Sequence, residues 1–155
     1  MKIDIHKDFE DLLRILNERS VEYIIVGGYA VSFHSQPKYT KDLDIWINST
    51  ERNSEKVLEA LIDFGFDNPG ITKEDLLKIG NFIQLGYPPV RIDFLTSLEG
   101  IIFGKAYINI KNGKYGKVEN VPYLSLEDLI ENKIKTGRDS DLYDIKWLDK
   151  FNKKK

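Results

Sequence analysis

Asp42 and Asp44 lie one residue apart in the stretch Thr40-Lys41-Asp42-Leu43-Asp44-Ile45-Trp46-Ile47. In a strand, both carboxylates point to one face while Leu43, Ile45 and Ile47 point to the other. Their Cβ atoms are then roughly 6–7 Å apart, and at an effective dielectric near ~20 two such anions repel by about 2–3 kcal/mol. A hard dication turns that repulsion into attraction. Downstream, alternation through Val90 to Leu95 sends Val90, Ile92 and Phe94 to one face and Arg91, Asp93 and Leu95 to the other. If this strand lies beside the first in matched register, Asp42, Asp44 and Asp93 converge. They would then suffice to hold one or two Mg²⁺ ions and leave positions open for substrate phosphates. The competing reading pairs Asp93 with Arg91 or a lysine as an edge-strand charge.

The complementary part is Gly27-Gly28, which follows the apolar run Tyr23-Ile24-Ile25-Val26 and precedes Tyr29 to His34, a segment able to begin a helix. Glycine lets the backbone approach a ligand closely, and the free N–H groups of a helix start suit phosphate oxygens. A glycine pair alone also fits a tight turn.

These residues need a frame. Phe9, Leu12, Leu13 and Leu16 carry helical spacing within Lys7 to Glu18. Pro37 ends the helix begun after the glycines. Ser49-Thr50 offers an N-cap to a helix containing Val57, Leu58, Leu61, Ile62 and Phe64. A short helix starts at Thr72-Lys73-Glu74-Asp75. Asn81 to Leu85 and Val90 to Leu95 read as a hairpin across Gly86-Tyr87-Pro88-Pro89. Short strands are expected around Ala106 to Ile110 and Lys117 to Val121. Ser125-Leu126-Glu127-Asp128 caps a helix with Leu129, Ile130 and Ile134, and a last helix carries Leu142, Ile145, Trp147 and Leu148. The expectation is a single α/β domain over residues 1–155, with a helical C-terminal segment at about 125–151.

The chain has 155 residues, 41% hydrophobic and 31% charged, which suits one domain with a real core. A net charge of −2 gives no global attraction to nucleic acid or anionic membrane, although Lys150, Lys153, Lys154 and Lys155 make the end locally basic. There is no cysteine, which excludes disulfides, thiolate ligands and a cysteine nucleophile. With neither a signal-peptide core nor a membrane-length apolar run, the expected location is the cytoplasm.

The order of strand, Gly27-Gly28, helix, Asp42-Leu43-Asp44 and then Ile92-Asp93-Phe94 resembles the nucleotidyltransferase superfamily, of the DNA polymerase beta-like fold. The string from Val26 to His34 and on to Asp44 looks like its small bacterial branch of AbiEii-type toxins and minimal nucleotidyltransferases. Leu126 to Lys133, with Arg138 and Asp141 to Asp144, is similar to the helical end of that group. The resemblance implies a mixed β-sheet flanked by helices. It also implies Mg²⁺- or Mn²⁺-dependent transfer of a nucleoside monophosphate from an NTP such as ATP to a hydroxyl of a protein, RNA or small molecule.

Carried over, Asp42, Asp44 and Asp93 are metal ligands, and Asp93 is also a candidate base. Gly27, Gly28, Thr40, Lys133 and Arg138 are nucleotide contacts. Two departures stand out: the second glycine is a serine in many active transferases, and Lys38 replaces an arginine found in a number of relatives. The resemblance leaves open a toxin–antitoxin or defence role, an aminoglycoside or lincosamide adenylyltransferase, or a non-catalytic module bound to a partner encoded nearby. Lys133 and Arg138 also read as helix-surface charges. Tyr29, Phe33, Tyr39 and Trp46 could stack a base or simply pack, and His34 reads as a packed or capping residue.

Overall fold

The computed structural model describes residues 5–36, 42–66, 70–87 and 90–152. The elements run α1 (Lys7–Glu18), β1 (Tyr23–Val26), α2 (Gly27–Phe33), β2 (Asp42–Ile47), α3 (Glu51–Phe64), α4 (Lys73–Leu77), β3 (Phe82–Tyr87) and β4 (Val90–Leu95). Then come α5 (Phe103–Ile108), β5 (Lys111–Tyr115), β6 (Val118–Tyr123), α6 (Leu126–Thr136) and α7 (Asp139–Asn152). Local signals start several of the helices. The Thr50 hydroxyl accepts from the Asn53 N–H, Thr72 and Asp75 form a reciprocal capping box, and Ser125 accepts from the Asp128 N–H.

The strands form one mixed sheet in the order β3-β4-β2-β1-β6-β5. β1 is antiparallel to β2 and parallel to β6, while β2 and β4 are parallel neighbours. A parallel pair needs a long crossover; here α3, α4 and β3 supply it. The sheet is covered on both faces, so strand alternation sorts side chains between two cores rather than between core and solvent. Leu43, Ile45, Ile47, Ile92 and Phe94 pack with Phe9, Leu12, Leu13 and Leu16 of α1 and Val57 and Leu61 of α3. Ile24, Val26 and Trp46 face the other way, toward Ala30 and Val31 of α2, Ala106 of α5, Leu129 of α6 and Leu148 of α7. That second face is the one to which β2 directs Asp42 and Asp44.

One expectation fails. The strand expected around Ala106 to Ile110 is instead the end of α5, and strand structure begins only at Lys111. Phe103, Ala106, Tyr107 and Ile110 recur at i, i+3, i+4 and i+7 and all pack into the second core. Ile108, off that stripe, is 82% exposed. The β-propensity of Tyr107, Ile108 and Ile110 lost to the helical period. β6 also runs two residues past the expected end at Val121.

Candidate active site

The parallel register of β2 and β4 sets Asp42 opposite Arg91 and Asp44 opposite Asp93. The adjacency that spacing alone could not supply is therefore present, and residues 49 apart in sequence become neighbours. On the other side of β2, Val26 pairs with Asp44, which brings the start of α2 against the same carboxylate. Gly27 has φ +67°, and a Cβ built there would fall on the Asp44 carboxylate, 2.9 Å from its Cγ. Glycine is required here twice over, once for the left-handed backbone and once for the space Asp44 fills.

Asp93 is 2% exposed. The Arg91 guanidinium neutralises it: Nε lies 3.1 Å from Asp93 Oδ1 and Nη2 lies 3.4 Å from Oδ2. The same Nε is 3.5 Å from Asp42 Oδ1. Hydrogen bonding to Asp93, with the charges of Asp93, Asp42 and Asp44, holds Arg91 still more firmly in its cationic form against partial desolvation. One guanidinium does not balance three carboxylates. Burial, then the charge of Asp93, a hydrogen bond with it and the charge of Asp42 push the Asp44 carboxyl up to about 8, with Arg91 opposing.

An all-oxygen donor set short of positive charge fits a hard dication. Among the described residues, however, no three acidic or imidazole groups are already gathered closely enough to share one ion. Arg91 occupies the space between Asp42 and Asp93.

The remaining expected contacts are placed elsewhere. Thr40 lies outside the described residues, as do Lys38 and Tyr39. Gly28 is in the first turn of α2. Lys133 is buried where α6 meets α7, with Nζ 2.9 Å from Asp144 Oδ2 and 3.4 Å from Asp141 Oδ1. Arg138 donates from Nε and Nη2 to Asp141 at 2.8 and 3.2 Å, yet its side chain is 72% exposed. Arg138, Thr136 and Lys133 overcome burial and hold the Asp141 carboxyl far below the usual range. Lys133 and Arg138 are thus engaged with each other's acids at the helix junction, and the only positive group seen among the site carboxylates is Arg91, among the described residues.

Among the described residues, the aromatic candidates near the site are buried or stacked on other rings. Trp46 is 2% exposed and edge-on to Phe103 at 5.1 Å, and Phe33 stacks on Tyr123 at 4.2 Å. Tyr29 is buried, and a ring nitrogen of His34 meets the Leu124 carbonyl at 2.6 Å. Sequence reasoning missed the central place of Arg91, weighing it only as an alternative partner for Asp93. The signal was there, because alternation already put Arg91 and Asp93 on one face. β3 also sets Gln84 opposite Asp93 in register.

No curated protein sequence matches the chain. In fold it is similar to a Thermotoga maritima protein to which nucleotidyltransferase activity is ascribed, with 17% identity and a TM-score of 0.57 over 96% of this chain and 97% of the other. No helix among the described residues is long and apolar enough to cross a membrane. Residues 5–155 match the family described as nucleotidyl transferase of unknown function (DUF2204). The mixed sheet, the flanking helices and this match agree, and the chain belongs to that nucleotidyl transferase family.

Proposed function

We propose that the chain transfers a nucleoside monophosphate from an NTP to a hydroxyl of a protein, RNA or small molecule, releasing pyrophosphate, with Asp42, Asp44 and Asp93 as the reaction centre. The observation that carries this reading is the register pairing of Asp44 with Asp93 beside Gly27. Asp42, Asp44 and Asp93 would hold Mg²⁺ or Mn²⁺, which supplies charge neutralisation to the attacking and leaving oxygens.

In the transfer, the acceptor oxygen forms a bond to the α-phosphorus as the bond from that phosphorus to the bridging oxygen breaks, and pyrophosphate leaves with the electron pair. The acceptor proton needs a base. Asp93, which β4 sets opposite Asp44, is the candidate for that role. Gly27 and Gly28 begin α2 beside the carboxylates, where a triphosphate would approach, although the space a Gly27 side chain would take is held by Asp44 itself. Arg138, largely exposed, is a candidate phosphate contact, and Lys133 would reach one only by leaving Asp141 and Asp144.

A binding module that keeps the fold without the chemistry is the second reading, favoured by the Arg91 pairing that already satisfies Asp93. One experiment separates the two. The purified chain is incubated with Mn²⁺, each of the four NTPs and a panel of acceptors, namely itself, total RNA, an aminoglycoside and a lincosamide, and pyrophosphate is measured. Release that disappears in Asp44→Asn supports the enzyme. If no NTP binds at millimolar concentration with Mg²⁺ or Mn²⁺, the enzyme reading fails. The productive acceptor then decides between a toxin–antitoxin or defence role and antibiotic modification.

A further inference from the structure

We infer that Arg91 is a built-in counter-ion that must withdraw from Asp42 and Asp93 before a divalent cation can enter, and that on withdrawal it takes up triphosphate charge, making metal binding contingent on nucleotide. The inference rests on the function proposed above and concerns how that site is controlled.

Three features of Arg91 support it. The first is position. Arg91 stands two residues before Asp93 on β4 and directly across from Asp42 on β2, so strand pairing itself aims its side chain between those carboxylates. A cation coordinated by both acids needs the same oxygens, at shorter distances than the guanidinium uses. The two positive groups therefore compete for one place.

The second is how loosely Arg91 is held. Its contacts run from 3.1 to 3.5 Å, and one Nε is divided between Asp93 and Asp42. Charge-assisted N–H to carboxylate bonds are normally about 2.7–2.9 Å long. For comparison, Arg138 reaches Asp141 at 2.8 Å. Arg91 is therefore held by charge rather than by good fork geometry, and little hydrogen-bond geometry is lost when it leaves.

The third is access. The Arg91 side chain is 30% exposed, while that of Asp93 is 3% exposed. Its head thus has a path to solvent, whereas Asp93 does not. A guanidinium released here needs an anion, and planar, multidentate recognition of phosphate oxygens is what that group does best. The triphosphate brings both the incoming cation and the anion that Arg91 can move to.

The test uses Mn²⁺ and inorganic tripolyphosphate, which carries no base and so does not depend on knowing the nucleotide. Affinity for Mn²⁺ alone and for the Mn²⁺–tripolyphosphate complex is measured by calorimetry on wild type, Arg91→Gln and Arg91→Lys. In parallel, the Arg91 Nε–H resonance of the wild-type chain is followed by NMR with Mg²⁺ in place of Mn²⁺, assigned by its disappearance in Arg91→Gln. Lysine keeps the charge but cannot span two carboxylates, so it separates blocking from a simple field effect.

The expected result is Mn²⁺ alone binding at least tenfold tighter to both variants, with the Mn²⁺–tripolyphosphate complex at least tenfold weaker in Arg91→Gln. The wild-type Nε–H signal should lose its carboxylate-bonded shift on adding Mg²⁺ and tripolyphosphate. Mn²⁺ affinities equal within twofold across all three proteins overturn the inference, as does an unmoved Nε–H signal at metal saturation. Either outcome leaves the enzyme reading intact. Absence of binding of both Mn²⁺ and the Mn²⁺–tripolyphosphate complex in every protein at millimolar concentration overturns the enzyme reading, and this inference with it. The NMR arm needs only the wild-type chain, so poor folding of a variant does not remove the test.

Discussion

Replacing Asp44 with asparagine should make the metal-free protein more stable at neutral pH while destroying its proposed chemistry. Burial and the charge of Asp93 raise the Asp44 carboxyl from 3.8 to about 8. A carboxyl with a raised folded-state value contributes its full stability below its unfolded value and loses it as pH rises through the folded one. Between about pH 4 and 8 the folded state binds one more proton than the unfolded chain, and stability falls by up to about 1.4 kcal/mol per pH unit. From 3.8 to pH 7 the accumulated cost reaches roughly 4 kcal/mol as an upper bound.

Asparagine cannot ionise, and its amide can donate to Asp93 as the acid proton does. We expect Asp44→Asn to recover about 1–3 kcal/mol of that cost at pH 7, the rest remaining with burial and relaxation. For a chain of this size that is roughly 3–10 °C in Tm. The assay is thermal unfolding followed by circular dichroism in EDTA at pH 5, 6, 7 and 8, taking the difference between variant and wild type. The difference should widen steadily from pH 5 to 8. A variant less stable than wild type at pH 7, or a difference independent of pH, refutes the electrostatic account of the cluster.

Gly27→Ala should cost about 1–3 kcal/mol for its left-handed backbone alone. The further loss from collision with Asp44 should be relieved in the double variant with Asp44→Ala, so a double-mutant cycle in urea should show coupling above about 0.5 kcal/mol. Lys133→Met removes the buried cation between Asp141 and Asp144, Asp141 keeping its bonds from Arg138, and should destabilise by about 1–3 kcal/mol in urea unfolding; a loss below ~0.5 kcal/mol would contradict the structural assignment. Trp46→Phe should reduce stability by about 1–3 kcal/mol through lost packing, with NTP affinity by calorimetry unchanged within about twofold. A tenfold loss of affinity there would restore Trp46 to the base pocket.

Helices were readable wherever their apolar stripe and cap were local. α1, α3 and α4 begin within a residue of expectation because Phe9-Leu12-Leu13-Leu16, Thr50 and Thr72 act within their own segments. α5 was not recognised, because Tyr107, Ile108 and Ile110 carry strand propensity and only the packing of Phe103, Ala106 and Tyr107 decides for the helix. At the site, alternation correctly set Asp42, Asp44 and Trp46 on one face. It could not say that β2 and β4 would pair, since pairing across a crossover is decided by the whole sheet. It also could not separate Gly27 as a phosphate contact from Gly27 as the space for Asp44, because that needs the pairing of Val26 with Asp44.

The parallel pairing of β2 with β4 also bears on the order in which the molecule folds. Asp44 and Asp93 are 49 residues apart and join only when the β3–β4 hairpin docks on β2. Closing such a loop carries an entropic cost. That docking must bring like charges together, but β4 carries Arg91 alongside Asp93, so the hairpin arrives with its own neutralising group. An arginine two residues away on the same strand makes this joint of the sheet passable before any ligand is present.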